Sequence, residues 1–231
     1  MLKIREVRKV YRKNGQVIRA ADGLSCAVGE GDLLVIHGPS GSGKSTLLLM
    51  AGGMLPPDGG AVLYEGGDVY GWSSARRNRY RKHTVGFMFQ RFYLVPYLTV
   101  FDNIRVPLAL QGRAGRAGEA IRELAERLRI EDRLGHKPAE LSAGEQQRAA
   151  LARALVGGQK LILADEPTGN LDPENVETIA ACLAEEARRG RAVVLVTHNR
   201  SLLAVATKEL HIDRGRIAEP RRADAGLGQE V

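Results

Sequence analysis

The sequence predicts an α/β protein with a mostly parallel sheet wrapped by helices, and three observations carry that prediction. First, the runs "DLLVIHG", "KLILADE", "AVVLVTH" and the weaker "AVLYEG" have strand length and β-branched content. They show no alternation, which suits strands covered on both faces. Second, helical periodicity fills the spaces between them, as in Ile121, Leu124, Ala125 and Leu128, then Val176, Ile179, Ala180, Leu183 and Ala187. Third, "HGPSGSGKS", "DE" and "TH" each follow directly on an apolar run. The carboxyl ends of strands are where such sheets hold ligands.

In chain order, residues 32–38 form the first of these strands, and a helix begins at Lys44. "MLPPDGG" at 54–60 is turn chemistry that ends it. "AVLYEG" follows, then the basic run "ARRNRYRKH" at 75–83, which reads as a solvated face ahead of a strand leading to Gln90. Residues 91–155 interrupt the strand rhythm and read as an inserted helical subdomain, so the core comprises 1–90 and 156–218. "ELHIDRGRIAE" has the pattern of a hairpin about Asp213 to Gly215. Residues 219–231 read as a loose tail.

Composition bounds the rest. A chain of 231 residues with 44% hydrophobic content can build a core, which excludes a disordered protein. The formal charge of +7 tolerates acidic partners without choosing among them. "MLKIREVRKVY" lacks the apolar centre of a signal peptide, and no stretch approaches the ~20 apolar residues that span a bilayer. A soluble, cytosolic chain is expected. Cys26 and Cys182 each stand alone, so buried, reduced thiols are expected.

The segment "HGPSGSGKST" carries the most chemistry. A triphosphate needs many N–H donors at close range, and residues without Cβ let the backbone bend round it, which accounts for Gly38, Gly41 and Gly43. The loop feeds a helix N-terminus, itself an anion site. Lys44 can reach the outer phosphates and Ser45 can hold Mg²⁺. At the end of "LILADE", Asp165 suits a Mg²⁺ position and Glu166 suits polarising an attacking water. His198 stands at another strand end, where an imidazole can orient that water. The other histidines, His37, His83, His136 and His211, are assigned ordinary packing roles. In "LSAGEQQRAALARAL", Ser142 and Glu145 make an S-x-x-E capping box before a helix. Capping does not account for Gly144 or for the "EQQR" run.

Together these motifs resemble the ATP-binding-cassette (ABC) ATPases over nearly the whole chain. "GPSGSGKST" looks like the Walker A loop, Gln90 like the Q-loop glutamine, and "LSAGEQQR" like the family signature. "LILADE" looks like Walker B, "GNLD" at 169–172 like the D-loop, and His198 like the switch histidine. The resemblance implies a P-loop NTPase cassette, with a RecA-like mostly parallel core, an antiparallel β subdomain and the helical insertion. It implies catalytic roles for Glu166, His198, Gln90 and Lys44, and nucleotide contacts from Tyr11, Gly38, Ser40, Gly41, Gly43, Lys44, Ser45, Thr46, Ser142, Gly144 and Asp172. Mg²⁺ would fall to Ser45, Gln90 and Asp165. Tyr11 would stack on adenine, and two cassettes would pair head to tail, so that Ser142 and Gly144 meet the partner's ATP. Asp172 before Pro173 is also a helix N-cap pattern. Two positions depart from the usual L-S-G-G-Q: Ala143 and Glu145 replace the second glycine and the glutamine. A carboxylate close to phosphate would work against closure.

The stretches "GFMFQRFYLVPYLTVFDNI" and "DEPTGNLD" look like the group of macrolide exporters, lipoprotein-releasing transporters and the cell-division cassette, the MacB, LolD and FtsE group. By that resemblance the chain is the ATPase subunit of an exporter or extractor. It would be peripheral to the cytoplasmic face of the cell membrane, with transmembrane permease subunits docking on Phe92, Tyr93, Tyr97 and Leu98, and no nucleic acid is expected. A division-type cassette that regulates cell-wall hydrolysis, and a soluble ABC ATPase acting on nucleic acid, remain as alternatives.

Overall fold

A computed structural model describes residues 1–13, 15–169 and 173–218. Asp172 and the predicted tail at 219–231 lie outside the described residues. Ten strands and six α-helices run in the order β1 (Leu2–Lys13), β2 (Gln16–Val28), β3 (Leu33–His37), α1 (Lys44–Ala51), β4 (Gly59–Tyr64), β5 (Gly67–Asp68), α2 (Ser74–His83), β6 (Val85–Met88), α3 (Val100–Leu110), α4 (Gly118–Arg127), α5 (Ala143–Leu155), β7 (Leu161–Asp165), α6 (Pro173–Arg188), β8 (Ala192–Thr197), β9 (Lys208–Asp213) and β10 (Arg216–Ile217) among the described residues.

The central sheet has the order β10-β9-β3-β8-β7-β6 and is parallel except for β10. Every residue of β3, β7 and β8 is buried, because each strand serves two cores at once. On β3, Leu33 and Val35 pack with α3 to α6, whereas Leu34 and Ile36 pack with α1 and the second sheet. A run without polar alternation is what two covered faces demand, and each fully buried Leu or Ile contributes about 1.5–3 kcal/mol.

The second sheet is antiparallel, of order β2-β1-β4-β5. The expected coverage of "AVLYEG" on both faces is not met: β4 buries Val62 and Tyr64 while their neighbours are only half-buried. It belongs to a sheet with a single packed face, whose alternation is masked by Ala61 and Leu63. β1 and β2 hold only scattered apolar residues, with Leu2, Ile4, Val7, Ala21, Leu24 and Val28 turned inward.

Helix α1 ends at Ala51, three residues before the predicted turn segment. Between β6 and β7 the described residues contain helices and turns but no strand. The hairpin between β9 and β10 turns at Arg214 and Gly215, both left-handed, and pairs Arg216 with Asp213. Cys182 is buried, as expected; Cys26 is only half-buried, because its strand has one packed face. Among the described residues, no helix is long and apolar enough to cross a membrane.

Candidate nucleotide-binding site

Gly43 starts α1 in a left-handed conformation with φ of 103° and no side-chain cap, which leaves the first amides of the helix without partners. Side chains are excluded there for a second reason. A Cβ at Gly43 would run into the Ala20 carbonyl of β2, and one at Gly38, where φ is 147°, into the Ile212 carbonyl of β9. The loop is therefore gripped by both sheets. It borders a cavity of about 260 Å³ lined by Ala20, Ser40, Gly41, Gly43, Lys44, Ser45, Thr46, Gln90 and Glu166. Eight of these nine residues were predicted from sequence to bind nucleotide or catalyse; Ala20 was not.

The charged groups are arranged around this cavity. Lys44 is 6% exposed and donates to the carbonyls of Gly38 and Pro39 at 2.8 and 2.9 Å, which holds its ammonium inside the loop. Burial lowers its pKa, while the carboxylates of Glu166 and Asp165 favour its charged form. Ser45 Oγ donates to Asp165 Oδ1 at 2.9 Å. Burial raises the Asp165 pKa against that hydrogen bond, and the neighbouring Glu166 charge adds to the rise. A buried acid so poorly compensated is suited to receiving a cation.

Glu166 has left-handed backbone, φ 49°, which costs a non-glycine residue roughly 1–3 kcal/mol. Its amide bonds the Val196 carbonyl at 2.9 Å, and its carboxylate Oε2 lies 2.9 Å from His198 Nδ1. The acid at the end of β7 and the imidazole after β8 thus meet, as adjacent parallel strands require.

Not every predicted residue reaches this cavity. Tyr11 stands on β1 opposite Ile18, 39% exposed and absent from the lining. Ser142 and Gly144 are also absent from it. They begin α5, where Ser142 Oγ accepts from the Glu145 amide at 3.3 Å and Glu145 Oε2 accepts from the Ser142 amide at 2.8 Å, completing the expected capping box. The "ARRNRYRKH" segment is helix α2. Its Tyr80 is buried with the hydroxyl on the Ala51 carbonyl, and Arg81 donates to the Gly53 carbonyl at 2.9 Å. Tyr80 is therefore a core residue, the exception on an otherwise mostly exposed basic helix.

A family model described as "ABC transporter" matches residues 21–169. Lipoprotein-releasing system ATP-binding protein LolD 2 of Caulobacter vibrioides is 41% identical over 94% of this chain and 98% of that protein. The chain belongs to the ABC transporter family. Macrolide export ATP-binding/permease protein MacB 1/2 of Paracoccus denitrificans is 37% identical over 97% of this cassette, which spans 34% of that longer protein. A dimeric structure of MJ0796, a bacterial ABC transporter cassette, superposes with a TM-score of 0.86 at 34% identity, covering 95% of this chain and 97% of that one. A post-hydrolysis dimer of MJ0796 bound to ADP and Pi gives the same TM-score at 33% identity. The predicted fold class is therefore the observed one.

The cassette also uses residues whose roles its sequence did not disclose. Gln147, in the "EQQR" run, is buried and donates to the Pro167 carbonyl, with the Glu166 carbonyl at 3.5 Å, so α5 holds the backbone that carries Glu166. Arg153, near the other end of α5, donates to the carbonyls of both Phe92 and Tyr93, the latter at 2.6 Å. Both of those residues are left-handed, with φ of 57° and 47°. Neither role leaves a spacing pattern, because each is a contact between a side chain and a distant carbonyl.

Proposed function

We propose that this cassette is the ATP-binding and hydrolysing subunit of a transporter, and that ATP draws two copies together. The observation that carries the reading is the single cavity that brings Ser40, Gly41, Gly43, Lys44, Ser45 and Thr46 against Gln90 and Glu166. In this reading the loop amides and Lys44 bind the triphosphate, Glu166 polarises the attacking water, and His198 orients it from the adjoining strand end.

The residues present fit Mg²⁺. Ser45 Oγ and Asp165 Oδ1 are hard oxygen donors 2.9 Å apart, and Gln90 lines the cavity together with Ser45. Bound there, the ion would neutralise charge on the outer phosphates. Ser142 and Gly144 lie outside this cavity on a capped helix start, which supports their serving the ATP of a second copy. Residues 1–90 and 156–218 are taken as the nucleotide core and 91–155 as the helical subdomain.

The relatives are named for lipoprotein release and macrolide export. Tyr93 and Tyr97, 61% and 76% exposed, support a docking surface for membrane permease subunits just after Gln90. Phe92 and Leu98 are half-buried, and Phe92 packs on the helical core, so they contribute less. In this reading the cassette works at the cytoplasmic face of a membrane and drives export or extraction.

Two-copy action makes the specific ATPase rate rise with protein concentration before levelling off, whereas a rate independent of dilution would refute it. Gln147 provides a further check. Gln147→Leu removes the donor beneath Glu166, and kcat is expected to fall about tenfold through misplacement of the carboxylate. Equilibrium binding of ATP should be unchanged, since the phosphate loop is untouched.

A further inference from the structure

The signature helix of this chain carries an acid where it should welcome an anion. Helix N-termini present about half a positive charge, and a full carboxylate in the first turn outweighs it. Both oxygens of Glu145 are nevertheless taken. Oε2 is turned back onto the Ser142 amide at 2.8 Å, and Oε1 accepts from Arg133 Nε at 2.6 Å. Arg133 closes the short helical turn at 131–133, and that region is braced on α3 by the Phe101 and Val100 amides, which donate to the carbonyls of Leu134 and His136. The guanidinium is thus delivered by a fixed segment.

We infer that Arg133 is a positioning residue of the signature helix, neutralising Glu145 and holding it aside so that the start of α5 can accept the phosphates of ATP bound to a second copy. This rests on the two-copy reading above. Arg133 and the Ser142 amide hold the Glu145 carboxyl at about 2, so the pair is charged at every working pH.

The test uses the full chain carrying Glu166→Gln, with ATP-driven dimerisation followed by sedimentation. Arg133→Met keeps the packing of the stem and leaves the capping box intact. It is expected to raise the dimer dissociation constant on the order of tenfold, while the affinity of the monomer for a fluorescent ATP analogue holds. Adding Glu145→Gln, which preserves the box because glutamine also caps, should restore dimerisation to within about twofold. The Arg133→Met defect should shrink as salt screens the exposed carboxylate, and Arg133→Lys should retain most of the affinity. A merely structural role would give neither the rescue nor the salt dependence. Wild-type dimerisation of Arg133→Met, or a defect that persists in the double variant, overturns the inference. If the Glu166→Gln parent fails to dimerise with ATP, the two-copy reading falls and takes the role of Arg133 with it.

Discussion

Replacing Glu166 by glutamine is expected to lower ATP turnover by roughly 10³-fold and to leave ATP affinity intact. Glutamine has the same shape and can still accept from His198 Nδ1, which lies 2.9 Å from the native carboxylate. What it loses is the negative charge proposed to draw a proton from water. The groups proposed to hold phosphate, Lys44 and the amides after Gly43, keep their positions, and Asp165 still favours the charged lysine. Bound ATP would then persist, and sedimentation should show a stable ATP-dependent dimer. Turnover within a few-fold of the unmodified protein would remove Glu166 from the chemistry.

The second large effect concerns stability. Glu186, on α6, is 1% exposed and bridges Arg127 at the end of α4, at 2.8 Å, and Arg191 ahead of β8, also at 2.8 Å. Arg189 approaches at 3.8 Å. Partial burial would lower the Arg127 pKa, but its hydrogen bond to Glu186 raises it. One acid therefore balances several cations where helix, helix and sheet converge. Removing the acid leaves Arg127 and Arg191 without their carboxylate, while Arg189 keeps Glu185 at 3.0 Å, at a cost of about 3 kcal/mol. Glu186→Ala should show that loss in urea unfolding. A change under about 1 kcal/mol would mean that water already shields the arginines.

Much of this was legible in the residues, for local reasons. β3, β7 and β8 are continuous apolar runs because two cores claim their alternate faces, and the capping box is written within four consecutive residues. The phosphate loop is legible because glycine spacing reports backbone geometry directly. What escaped depended on distant partners. The single-faced packing of β4 follows from its pairing with β1, roughly sixty positions earlier in the chain. The donation from Gln147 to Pro167, and the pairing of Arg133 with Glu145, join groups whose sequence separation carries no periodic signal. The left-handed backbone at Glu166, Phe92 and Tyr93 was likewise hidden, since none is a glycine.

Helix α5 is anchored at both extremes. Near its start Gln147 grips the strand end that bears Glu166, and near its finish Arg153 clasps the strained bend at Phe92 and Tyr93. Its 13 residues make a rod roughly 20 Å long. Such a rod cannot slide or tilt without tugging both attachments together, so the fuel chamber and the tyrosine-bearing outer surface are yoked by a shared beam.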